Sequence, residues 1–142
     1  SKLRSSNALG RACIQQIATR HLYIAPHDGE PTCGGGISAP ACTNALSFKI
    51  EFNSRMSVAD RAGAIVHETM HVLNAGTRLR YSQLSAGMDE EWAEAAGYTF
   101  LNSLPEGVRR TSQYSGAAAA YRNNPQAELR RGCQSEGIPN CP

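Results

Sequence analysis

Residues 67–71 read His-Glu-Thr-Met-His, and no other stretch restricts the fold and chemistry of the chain as strongly. Side chains at i and i+4 stand one above the other on a single face of an α-helix. Two imidazoles so placed can reach one metal ion at Zn–N distances of about 2.0–2.1 Å. Glu68 is rotated about 100° from His67 around the helix axis. It therefore falls off the ligand face, where its carboxylate can hold a water beside the ion and take its proton. With four histidines and nine glutamates in 142 residues, the pattern arises by chance in roughly one such chain per hundred.

The flanking sequence predicts the helix that this spacing requires. Ser57-Val58-Ala59-Asp60 reads as a capping box with Asp in place of Glu. A proline-free run rich in Ala, Ile, Val and Leu follows, and Asn74-Ala75-Gly76 reads as a stop, with Gly76 able to take φ > 0. The predicted helix runs from Val58 to Asn74. It is nearly apolar around His67 and His71, which places it in the interior. Two histidines and a glutamate there need partners, and a zinc ion supplies one.

A catalytic zinc ordinarily keeps three protein ligands and one open position. Met88-Asp89-Glu90-Glu91-Trp92-Ala93-Glu94-Ala95-Ala96-Gly97-Tyr98 reads as a second helix with acids in its first turn, as the helix dipole favours. Glu90, Ala93, Glu94 and Gly97 share one face. On that face Glu90 is the candidate third ligand, and Glu94 the candidate acceptor for a ligand histidine's second nitrogen. Ala93 and Gly97 are small enough to let two helices approach closely. The plain alternative is a solvated acidic helix start.

Together these residues resemble the zincin metallopeptidases, and among them the gluzincins. That pattern is H-E-x-x-H on one helix and a glutamate on the next, often as E-x-x-x-D. Here it maps onto His67, Glu68 and His71, then Glu90, with Glu94 where the family carries Asp. The gap of 90 − 71 = 19 residues suits a compact member. An alternative register uses Glu91 with Gly97. The metzincin extension is absent, and Arg80 stands where an aspzincin ligand would be. The resemblance covers residues 46–104. It implies one Zn²⁺ held by His67, His71 and Glu90, with Glu68 as general base. Tyr81, Tyr98 and, more weakly, His21 are its candidate transition-state donors.

Leu46-Ser47-Phe48-Lys49-Ile50-Glu51-Phe52 alternates with period two and reads as an amphipathic strand. The resemblance implies an edge strand above the active-site helix, where an extended substrate adds by backbone pairing. An ordinary meander strand fits the same pattern. Elsewhere, residues Asn7–Arg20 read as a helix and His21–Ile24 as a short strand. A long loop spans Pro26–Pro40, and short helices are expected in 105–142.

Five cysteines, Cys13, Cys33, Cys42, Cys133 and Cys141, include two pairs that each close a short Gly- or Pro-containing loop. The pairs Cys33–Cys42 and Cys133–Cys141 are expected as local disulfides in an oxidising space, leaving Cys13 as a buried thiol. No zinc-finger spacing occurs. A net charge of +2 without aromatic interleaving gives no case for a nucleic-acid partner, and no apolar run is long enough for a membrane span.

The expectation is one α+β domain, residues 1–142: a small zincin-like unit with its active-site helix packed on a short twisted sheet and a second helix carrying the third ligand. The resemblance implies a secreted or periplasmic zinc metallopeptidase acting on protein or peptide. The chain also resembles the toxin module of a larger bacterial effector, which implies an inhibitor or immunity protein as a partner. A peptidoglycan hydrolase using the same zinc chemistry is the rival enzyme, and a zinc-stabilised binding module without turnover the rival of another class.

Overall fold

A computed structural model describes residues 8–44, 47–81, 85–138 and 141–142, the side chains of 76–81 excepted. Helix α1 (Ala8–Thr19) precedes strands β1 (Tyr23–His27), β2 (Ala41–Asn44) and β3 (Lys49–Asn53). Helices α2 (Val58–Tyr81), α3 (Ala86–Asn102), α4 (Glu106–Arg109), α5 (Ser115–Asn123) and α6 (Pro125–Ser135) follow. The fold is mixed α and β, with a sheet of three strands in the order β1-β3-β2.

β3 pairs parallel to β1, from Tyr23 opposite Lys49 to His27 opposite Asn53. It pairs antiparallel to β2, with Ala41 opposite Phe52 and Asn44 opposite Lys49. The strand expected at the sheet edge is therefore central, and both its hydrogen-bonding sides are filled. The edge beside α2 belongs to β2. The expected strand start also moves: Phe48 sits at φ 51°, a left-handed conformation that leaves the strand to begin at Lys49, and Leu46 lies outside the described residues.

α2 starts as predicted, with the Ser57 hydroxyl accepting the Asp60 N–H at 3.2 Å. Asp60 does not complete a capping box. Its carboxylate accepts instead from the Ser112 hydroxyl and the Gln113 N–H, tying the segment before α5 to α2. The helix does not stop at Asn74 but continues to Tyr81. The Asn74 amide is not a cap: it donates to Asp89 Oδ1 at 2.7 Å and to the Asp89 carbonyl at 3.3 Å. α3 begins behind Ser85, whose hydroxyl accepts the Met88 N–H.

α2 is held on two sides. Ala59, Ala62 and Val66 join Ala96, Phe100 and Leu101 of α3, Ala118 of α5, Leu129 of α6 and Cys13 of α1 in the main core. A smaller cluster of Leu22, Ile50 and Val72 fastens it to the sheet. The expected close approach of the two helices is realised at Gly97. A Cβ built there would lie 3.7 Å from His67 Cβ and 3.8 Å from the Gly63 carbonyl oxygen. Both local disulfides are present, Cys33–Cys42 and Cys133–Cys141, which suits an oxidising compartment. Cys13 is free and buried. Its thiol donates to Thr69 Oγ1, and burial pushes its pKa up against that bond. Among the described residues no helix is long and apolar enough to cross a membrane.

Candidate metal centre

The i, i+4 spacing on α2 brings His67 Nε2 and His71 Nε2 to 3.1 Å from each other. α3, packed against the same face, delivers Glu90. Its Oε1 lies 3.4 Å from His67 Nε2 and its Oε2 3.3 Å from His71 Nε2. A four-coordinate ion with bonds of about 2.0–2.1 Å needs donor atoms about 3.3 Å apart. The His67–His71 separation fits, and each imidazole has its own Glu90 oxygen at that distance. Glu90 is buried, and its Oε1 accepts no hydrogen bond. An orphaned carboxylate oxygen in the interior is costly unless a cation meets it. His67, His71 and Glu90 are thus positioned to hold a metal ion.

The electrostatics agree. Burial works against charge on His71, but hydrogen bonds to Asp89 and Glu90 outweigh it and lift the pKa to about 10. Burial likewise opposes charge on His67, and the Glu90 carboxylate 3.4 Å away, with the Glu68 charge, overcomes it. Glu90 is driven the other way. Burial would raise its pKa, yet the two imidazoles beside its carboxylate hold it well below the usual carboxylate range. The cluster attracts positive charge, as protons or as a metal ion.

The support for His71 comes from an unexpected residue. Its Nδ1 lies 3.0 Å from Asp89 Oδ1, and Asp89 is itself held by Asn74. Glu94, expected in that role, hydrogen-bonds with Tyr98 and Glu90, and burial raises its pKa. The reason is register. His71 is one turn beyond His67 along α2, and the antiparallel approach of α3 sets it beside the first turn of that helix. Glu91 is buried but is not part of the metal-ligating group. A second group of carboxylates, Glu90, Glu94 and Glu136, adjoins the first. Burial and the neighbouring charges of Glu90 and Glu94 push Glu136 up to about 7.

The centre opens on a cavity of about 620 Å³. One wall is the disulfide-closed segment leading into β2, through Ile37, Pro40, Cys42 and Thr43; the others bring Glu68, Tyr98, Tyr114 and Glu136. Glu68 is buried and lies outside the ligand group, as its helical position requires. The Thr43 hydroxyl donates to Glu68 Oε2. Tyr98 lines the cavity, but its hydroxyl is engaged by Glu94, and burial with that carboxylate raises its pKa. The Tyr81 side chain lies outside the described residues, and His21 is exposed and away from the cavity. Sequence reasoning missed Thr43, Asp89 as a histidine partner, and Tyr114. Only Asp89 carried a local signal, as an acid in the first turn of the second helix. Comparison with family models, with curated proteins and with solved structures finds no match for this chain.

Proposed function

We propose that this chain is a zinc-dependent metallopeptidase of gluzincin-like design, working in an extracytoplasmic, oxidising space. One observation carries the reading: His67, His71 and Glu90 converge on a point beside an open cavity, with Glu68 on the same cavity but outside the ligand group. A structural zinc is ordinarily closed by four protein ligands, whereas a catalytic one keeps a position open. Three donors facing a cavity suit catalysis, and a binding module has no use for the fourth residue, Glu68.

Bound zinc supplies Lewis acidity at the scissile carbonyl and lowers the pKa of water. The chain's own residues do the rest. Glu68 takes the proton of the attacking water and returns it to the leaving amine. Asp89 holds the His71 ring through Nδ1, which would leave Nε2 to bind the ion. β2 runs along the cavity with one side paired to β3. Its other side bears no strand among the described residues, which suits an extended peptide adding by backbone pairing.

The test starts from protein stripped by chelator and reloaded with one equivalent of Zn²⁺. It is incubated with fluorescently quenched unfolded casein and, separately, with purified peptidoglycan. Zinc-dependent cleavage of casein is the expected result. Cleavage of peptidoglycan alone would replace the substrate class, and cleavage of neither would end the enzymatic reading.

A further inference from the structure

Glu68 poses a problem of position. A general base must present one oxygen to a water within about 2.6–3.2 Å, yet a glutamate has three rotatable bonds and costs rotamer entropy to fix. Within reach are two imidazoles that attract its carboxylate electrostatically. Among the described residues no donor of α2 itself holds it. The restraint comes from the sheet. Thr43, third residue of β2, donates its hydroxyl to Glu68 Oε2, and Thr43 Oγ1 also lies 3.3 Å from the Glu68 carbonyl oxygen. Thr43 is the only hydrogen-bond donor to the Glu68 side chain among the described residues, and Glu68 lines the cavity.

The strand that carries Thr43 is itself constrained. Thr43 pairs with Ile50 of β3, a fully buried residue, while its neighbour Cys42 is bonded to Cys33. β-Branching limits Thr43 to few χ1 rotamers. A stiff donor on a clamped strand thus meets a flexible carboxylate on a helix.

We propose that Thr43 is the positioning residue of this active site: its hydroxyl fixes the Glu68 carboxylate so that Oε1 faces the reacting water. The proposal rests on the peptidase reading for its kinetic consequence, though not for the geometry itself. A serine can make the same bond, and a valine of the same shape cannot.

The experiment compares wild type, Thr43→Val and Thr43→Ser, each loaded with one Zn²⁺, by crystal structure and by cleavage of quenched casein. For Thr43→Val the expected results are wild-type zinc content, a Glu68 carboxylate rotated from its wild-type orientation, and a largely unchanged KM. Its kcat should fall about 10- to 100-fold, the size of a lost hydrogen bond to a charged group. Thr43→Ser should restore most of that rate. A Thr43→Val structure with Glu68 unmoved overturns the proposal whether or not any variant cleaves casein. So does a Thr43→Val enzyme with wild-type kcat. Absence of cleavage by wild type would refute the peptidase reading instead, and the two structures would still decide the role of Thr43.

Discussion

Asp89→Asn is the substitution that best separates the observed site from the gluzincin pattern that the sequence resembles. Asp89 Oδ1 accepts from Asn74 at 2.7 Å and lies 3.0 Å from His71 Nδ1. An asparagine can keep both contacts through its amide oxygen but loses the negative charge that makes the imidazole a better donor to a cation. Loss of such a partner ordinarily costs about 10- to 100-fold in metal affinity, equivalent to about 1.4–2.8 kcal/mol. Asp89→Ala goes further, because the buried Asn74 amide then keeps only its 3.3 Å bond to the residue-89 carbonyl, and losing the shorter bond costs the fold about 1 kcal/mol more. Glu94→Gln is the control. Glu94 bonds to Tyr98 and Glu90 and reaches His67 through its charge alone, so removing that charge relieves repulsion on Glu90 without breaking a hydrogen bond to either histidine. Competition for Zn²⁺ against a chromophoric chelator should show Asp89→Asn weakened by at least tenfold and Glu94→Gln close to wild type. The reverse order would refute the assignment of Asp89 and return the role to Glu94.

Two further outcomes follow from the same geometry. Gly97→Ala places its Cβ in ordinary contact with His67 and Gly63, so it should raise stability by about 0.5–1 kcal/mol in thermal melts, while the larger Gly97→Leu should displace His67 and weaken zinc binding. In metal-free protein the His71 pKa is raised from 6.5 to about 10, through Asp89 and Glu90 against burial. The stabilisation this gives is fully present below pH 6.5 and is lost as pH rises through about 10. Zinc must displace those protons, so its affinity should climb over the same window, a trend that melts of chelated and zinc-loaded protein across pH would reveal.

What the sequence disclosed was what short-range spacing can encode. The i, i+4 histidines fix their own face, the acid-rich start of α3 exposes Glu90, and the two close cysteine pairs announce their loops. What it concealed depends on which elements meet. Asn74-Ala75-Gly76 looks like a stop, yet Asn74 is spent on Asp89 across the helix pair, and nothing local announces that partnership. Alternation around Ile50 marks a strand but not its rank in the sheet, so β3 looks like an edge until β1 and β2 are seen on either side of it. Thr43 is an unremarkable strand residue until the fold sets it against Glu68. The same limit made Glu94 the apparent histidine partner, because helical spacing alone cannot supply the register between α2 and α3.

The central claim turns on Glu68, and one substitution tests it. Glu68→Gln keeps the size of the side chain and its hydrogen bond from Thr43 but removes the proton acceptor. With zinc content measured on the same sample, hydrolysis of unfolded casein should fall by about 10²- to 10⁴-fold while the bound zinc stays at one per chain. A Glu68→Gln protein that binds zinc and still cleaves at the wild-type rate would contradict the account.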